Sequence, residues 1–328
     1  MSGSSTPRPQ PPNPLRTLGK ILTLILTVNS GESIWMLADR RLSYRGRAPK
    51  EDGRKIMFLD TTDAVAILGY AGLGATPKGT EPSDWMGAVL RGRNLPLEQS
   101  LGVLADALQR QFPPHLMRLP PSVLASHNVL IPAFVGSEAR LYSIDLTIAQ
   151  DRKRTAFRYT RHVVDPAGPR PSRTPRVGLA GSGAIYLACD RRWIRRLLTL
   201  VRASDRKQIS PHVVADYLST LNHATHVNTA DGSVGPRCIV AWRHRKTGAH
   251  GGGGAHQFYD SLKRVPDSGA LATIANGMDV QALVRATMPH TLAQMNALME
   301  GQAPPELDVA ALNAELARLP EHPDEHLK

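Results

Sequence analysis

The pattern of apolar and polar positions becomes strand-like at Leu22. Leu24, Leu26 and Val28 alternate with Thr23, Ile25 and Thr27 before an Asn29-Ser30-Gly31 turn, and Ile34 to Ala38 is a second apolar run. Lys55 to Leu59 and Ala64 to Leu68 form another pair around a turn at Asp60 to Asp63. These four runs predict antiparallel hairpins. Leu97, Leu101, Leu104, Leu108 and Phe112 then recur at helical spacing behind Pro96, a residue suited to a first helical turn. Strand character returns over Val129 to Val135 and Leu141 to Ile144, with Gly136-Ser137 between them.

Residues 146–176 read as a lengthened, solvated loop, with eight Lys and Arg from Arg152 to Arg176 against Asp165 alone. Two helices follow. Trp193, Ile194, Leu197, Leu198 and Val201 make one stripe; Val213, Val214, Tyr217, Leu218 and Leu221 make the other, with Ser210 as cap and Pro211 at the first position. Cys238 to Trp242 reads as a strand and Gly251 to Gly254 as a flexible tetraglycine. Residues 278–318 read as helical and increasingly acidic. The order predicts an α+β layered domain of two antiparallel sheets with helices outside them. Three stretches result: a leader over 1–22, a main domain over 23–245, and a Gly-rich linker with a helical extension over 246–328.

Composition changes this picture in few places. Prolines at 7, 9, 11, 12 and 14 keep residues 2–19 from forming a core, and no small-x-small cleavage site follows Val28, so this leader is not read as a signal peptide. The longest apolar run, Ile21 to Val28, is too short to span a bilayer. Two cysteines, Cys189 and Cys238, make no disulfide framework, which places the chain by default in a reducing cytoplasm. Cys189 is expected in a helix among apolar neighbours. Residues 1–22 hold only Arg8, Arg16 and Lys20, and residues 300–328 hold seven acids against Arg318 and Lys328. The body therefore carries more than the whole net charge of +12. No zinc-finger spacing, recognition-helix pattern or Arg-Gly repeat accompanies that charge, so nucleic acid is not the expected partner. His244, His250 and His256 lie six residues apart, which is no metal-ligand spacing, and the tetraglycine lacks the Lys-Ser/Thr of a phosphate loop. Neither a metal nor a cofactor is expected.

The chemistry concentrates between Thr23 and Gly72. Thr23 lies 16 residues before Asp39, and Lys55 lies 16 after it, with Ala38-Asp39-Arg40-Arg41 ending one strand and Lys55-Ile56 starting another. Gly69-Tyr70-Ala71-Gly72 ends the fourth strand. In these residues the chain resembles the catalytic β-type subunits of the proteasome and their bacterial relatives among the N-terminal-nucleophile hydrolases. The resemblance continues through His127 to Ile131 with Leu141 to Asp145, through Gly181-Ser182-Gly183, and through Asp231 with Val234-Gly235, covering about residues 23–243. It implies a four-layer αββα sandwich and a ring-type homo-oligomer acting on unfolded polypeptide or peptides. An ATPase partner has no support in the chain.

The resemblance also implies roles. Cleavage before Thr23 would free an α-amine that titrates near neutral pH and can act as base for the threonine hydroxyl. Lys55 would favour the alkoxide, Asp39 would hold Lys55 charged, and the Gly69 N–H would face the oxyanion. Ser182 and Asp231 would surround the amine. Ser43 would pair with substrate backbone, and Leu42, Met57 and Ile67 would wall an apolar pocket. Two positions depart from the family pattern: Leu22 stands where glycine precedes the threonine, and Val234 stands where the late element has serine, with Ser233 shifted by one. The alternative reading is therefore an uncleaved, catalytically silent scaffold of the same fold.

Overall fold

The computed structural model describes residues 23–44, 47–72, 80–111, 127–148, 155–164, 176–229, 232–245, 252–260, 262–265 and 271–318. In chain order the strands and helices are β1 (Ile25–Asn29), β2 (Ser33–Asp39), β3 (Leu42–Tyr44), β4 (Arg47–Lys50), β5 (Ile56–Asp60), β6 (Ala64–Ala71), α1 (Pro82–Leu90), α2 (Leu97–Gln111), β7 (Asn128–Val135), β8 (Glu138–Ile148) and β9 (Thr155–His162). They continue with β10 (Val177–Ala180), α3 (Gly183–Cys189), α4 (Arg192–Asp205), α5 (Pro211–Asn228), β11 (Cys238–His244), β12 (Gly253–Tyr259), β13 (Lys263–Arg264), β14 (Ala272–Ala275), β15 (Met278–Asp279), α6 (Val280–Met299) and α7 (Val309–Ala317).

The chain is α+β, with two large and mostly antiparallel sheets. One runs β10-β1-β2-β11-β12-β13 and the other β15-β14-β5-β6-β7-β8-β9, in which only β14 and β5 pair in parallel; β3 and β4 form a separate ribbon. The alternation along β1 and β2 divides their side chains between two cores. Leu26, Val28, Trp35 and Leu37 pack with Leu197 and Val201 of α4 and Val214 and Leu218 of α5. Ile25, Ile34 and Met36 meet Ile56, Phe58 and Ile67 of the other sheet. The opposite face of that sheet, through Met57 and Leu68, packs on Trp85 of α1 and Leu101 and Leu104 of α2. Burial on both faces explains why these central strands read as nearly continuous apolar runs.

Three expectations change. Residues 155–162, read as part of a basic loop, form β9, paired antiparallel with β8 at the edge of the sheet. One covered face and one wet face let Arg158 and Thr160 stay exposed while Phe157 is buried. Gly253 and Gly254, read as flexible, are strand residues of β12 paired with Arg243 and Trp242. A Cβ on Gly254 would lie 2.6 Å from the Trp242 ring, so the glycine is there for close packing. The stretch after residue 245 thus supplies β12 to β15 as well as α6 and α7. Cys189 is exposed and Cys238 is buried.

His127, just before β7, is 2% exposed, and its Nδ1 lies 3.0 Å from the Tyr70 hydroxyl. Burial pushes its imidazole down from 6.5 to about 4. Between those two values the unfolded chain takes up a proton that the folded chain refuses, so stability falls as pH falls. The total loss is about 3 kcal/mol. Urea unfolding from pH 7 to 4.5 should show a steeper decline for the native chain than for His127→Gln; parallel curves would remove this source of acid sensitivity.

Candidate active site

Thr23 precedes β1 and Asp39 ends β2, and the antiparallel register sets them side by side, with the Asp39 N–H donated to Leu24 O at 3.1 Å. Lys55 precedes β5 of the other sheet. All three side chains meet in the interior, with Thr23 and Asp39 fully buried and Lys55 3% exposed. The Thr23 hydroxyl donates to Asp39 Oδ1 at 2.6 Å; Lys55 Nζ donates to Thr23 Oγ1 at 2.6 Å and to Asp39 Oδ1 at 2.9 Å. The Asp39 carboxylate also accepts the N–H of Leu24 at 2.7 Å, of Arg41 at 3.0 Å and of Gly235 at 3.3 Å. Five donors on one carboxylate offset the desolvation that burial imposes on it.

Burial pushes the Lys55 ammonium down, against the raising influence of Asp39 and Glu51, and Arg41 adds to the lowering. An amine shifted this way exchanges a proton with the hydroxyl 2.6 Å away more readily than a solvated lysine does. Arg41 is a second support that its place beside Asp39 only hints at. Its side chain pairs with Glu51 at 2.6 Å and donates to the Gly232 carbonyl, holding the turn that brings Gly235 to Asp39. Glu51 carries no sequence signal for this role.

Thr23 is also held from the α3 side. Its backbone N–H lies 3.4 Å from Ser182 Oγ, and its carbonyl accepts the Gly183 N–H at 3.1 Å. Gly181, between β10 and this turn, has φ +86°, and a Cβ there would stand 2.3 Å from the Thr23 carbonyl oxygen. The Gly-Ser-Gly turn therefore admits the Thr23 backbone where side chains would exclude it.

Other expected residues are placed differently. Thr61 N–H bonds Ala64 O at 2.8 Å and Tyr70 N–H bonds Lys55 O at 3.0 Å, which fixes the parity of the β5–β6 ladder. The intervening Gly69 N–H consequently faces its partner Leu130 on β7 rather than Thr23. Gly69 instead gives Met36 room, since a Cβ would meet its sulfur at 2.3 Å. Met57 packs in the helix-side core and Ile67 in the core between the sheets. Leu42 is buried against Gly53, where a Cβ would lie 2.3 Å from its Cγ. Asp231 and the Ser43 side chain fall outside the described residues. So does His250, while His256 Nε2 lies 2.6 Å from His212 Nδ1 rather than beside His244. Among the described residues no group of three or more His, Cys, Asp or Glu could hold a metal ion. No helix among them is long and apolar enough to cross a membrane.

No family model matches the chain, and no curated protein matches it. Among solved structures it is similar to an Anbu Gly-1 mutant from Hyphomicrobium sp. strain MC1, at 12% identity over 88% of this chain and 100% of that one, with a TM-score of 0.41. It is similar to the helical assembly of the Anbu complex from Pseudomonas aeruginosa, at 13% identity over 88% and 99%, TM-score 0.41. A third is Anbu, an ancestral beta-subunit, from Yersinia bercovieri, at 14% over 75% and 88%, TM-score 0.41. The expected membership of the proteasome β-subunit family is corrected: no model of that family, and no curated member of it, matches the chain.

Proposed function

We propose that the chain is a threonine peptidase precursor, in which Thr23 Oγ1 becomes the nucleophile after the chain is cut before Thr23. The observation that carries this reading is the Lys55 ammonium 2.6 Å from Thr23 Oγ1, with both groups on Asp39 Oδ1. A threonine that only fills a strand end needs no buried lysine; a nucleophile does, because the alkoxide must be stabilised and its proton managed. In the uncut chain the Thr23 nitrogen is an amide and cannot be a base.

Self-cleavage would proceed by attack of Thr23 Oγ1 on the carbonyl of residue 22. The C–N bond breaks, the nitrogen takes a proton to become the free amine, and water hydrolyses the ester left on Oγ1. Afterwards that amine would take the hydroxyl proton as Oγ1 attacks a substrate amide, and would return it to the leaving nitrogen. Water then releases the acyl group. Ser182 Oγ, 3.4 Å from the Thr23 nitrogen, supports a role in ordering that amine. Asp231 belongs to the same proposal, whereas the orientation of Gly69 leaves the oxyanion donor to another group.

The reading includes a four-layer αββα arrangement, supported by one core between the sheets and one on the helix side of each. It includes self-association, supported by the exposed apolar residues of α6. A reducing, cytoplasmic setting is supported by the exposed free thiol of Cys189. The complete burial of Thr23 favours the second reading, a silent scaffold, for any chain that stays uncut. Intact mass separates the two. The native protein should yield a species beginning at Thr23, and Thr23→Ala should stay full length; full-length mass in both, with the fold intact, would make the site structural.

A further inference from the structure

Helix α6 has two unlike faces. Leu283, Ala286, Thr287, His290, Gln294 and Ala297 are partly covered, and α7 and β14 are neighbours of the helix. About a third of a turn away, Val284, Met288, Leu292, Met295, Leu298 and Met299 are 45–84% exposed. They line one side of the helix at spacings mostly of three and four residues, on both sides of Pro289. The base of the helix is fixed: Asp279 caps Ala282 N–H through Oδ1 and pairs with Arg91 at 2.6 Å through Oδ2. Gly277, at φ +84°, fits against the Arg93 backbone, where a Cβ would stand 2.9 Å away. The stripe is therefore presented by an anchored helix.

We propose that α6 is a self-association surface, packing antiparallel against α6 of a second copy of this chain. The stripe holds no charged residue, which argues against an acidic, basic or nucleic-acid partner. Its exposed apolar area is several hundred Å², of the order of the roughly 800 Å² that each partner gives to a stable complex and large for a monomer surface. Direction follows from charge and register. A parallel pair would set Glu300 beside Glu300 and bring together two segments, 300–328, that each carry seven acids. An antiparallel pair centred between Thr291 and Leu292 sets Val284 opposite Met299 and Met288 opposite Met295. It also brings Glu300 within a turn of Arg285 on the other copy and opposes the helix dipoles. This contact does not depend on the chemistry of Thr23, so either can fail alone.

Sedimentation of the full chain at micromolar concentration should give an assembled particle, and Leu292→Glu should have at most half its mass with an unchanged melting temperature. Met295→Lys is the second variant should Leu292→Glu fail to fold. Orientation is read in a Cys189→Ser background: Leu292→Cys should form a disulfide dimer on mild oxidation. Val284→Cys should not, because its two copies would lie about 20 Å apart along the seam. A native chain that sediments as one copy, or Leu292→Glu with unchanged mass, overturns the contact. So does association that appears only after residues 1–22 are removed, which would give the stripe to the leader. Self-crosslinking of Val284→Cys overturns the antiparallel arrangement.

Discussion

Lys55→Met should cost the fold about 3–5 kcal/mol and leave the chain uncut before Thr23. Methionine fills much the same space as the lysine stem, so the change removes the charge more than the packing. Asp39 Oδ1 would keep the Thr23 hydroxyl and the Leu24 N–H, and Oδ2 would keep the N–H groups of Arg41 and Gly235. Those are neutral dipoles around a fully buried carboxylate. The Arg41 guanidinium, the nearest other cation among these partners, is already tied to Glu51 at 2.6 Å. Asp39→Asn alone strands the opposite charge, an ammonium that is 3% exposed, and should be comparably costly.

The double variant Lys55→Met/Asp39→Asn removes both charges and should recover most of the stability lost in either single variant. It should still fail to release a chain beginning at Thr23. Denaturant midpoints test the first half and intact mass the second. A pair that is merely structural gives the same stability pattern with cutting unaffected. A loss below about 1 kcal/mol for Lys55→Met would put the pair in the class of solvent-exposed ion pairs and contradict its burial.

What the sequence discloses and what it hides divide along a physical line. The hairpins β1–β2, β5–β6 and β7–β8 are legible because tight turns at Asn29 to Gly31, Asp60 to Asp63 and Gly136-Ser137 join runs whose alternation serves two faces. The approach of Thr23 to Asp39 is legible for the same reason, since hairpin register carries one to the other. The direction of the Gly69 N–H is not legible. It depends on which residues of the ladder face β5, and a change of parity would reverse it while leaving the apolar pattern intelligible. Strand β12 is hidden by its own packing: the glycines that look like a linker are required where Trp242 and Arg243 lie across the strand. Strand β9 is hidden by its place at a sheet edge, where Arg158 and Arg161 need no burial. Strand β14 is only four residues long and pairs in parallel with β5 from more than 200 residues away in sequence, a distance over which no local signal operates.

Gly181→Ala should destabilise the protein by about 2–4 kcal/mol and displace Thr23, and a pair of controls can say why. Two effects coincide at this position. The backbone sits at φ +86°, which costs any L side chain about 1 kcal/mol or more, and the new Cβ would stand 2.3 Å from the Thr23 carbonyl oxygen and 2.6 Å from Thr23 Cγ2. Backbone cannot rotate away as a flexible side chain can, so either the Gly-Ser-Gly turn or the start of β1 must move. Moving either one stretches the Gly183 N–H to Thr23 O bond, now 3.1 Å, and carries Oγ1 away from Lys55. Gly92→Ala isolates the first effect, because φ is +75° there and nothing lies within 4 Å of the added carbon. Gly183→Ala tests crowding without a left-handed backbone, its Cβ meeting Val234 Cγ2 at 2.8 Å and Thr225 Cγ2 at 3.1 Å, which can shift, and Leu24 Cβ at 3.0 Å, which moves only with its backbone. The expected order of lost stability is Gly181→Ala above both controls, with cutting before Thr23 abolished only in Gly181→Ala. Equal losses for Gly181→Ala and Gly92→Ala would mean that backbone strain alone matters and that the close approach of the turn to Thr23 does not set the position of its hydroxyl.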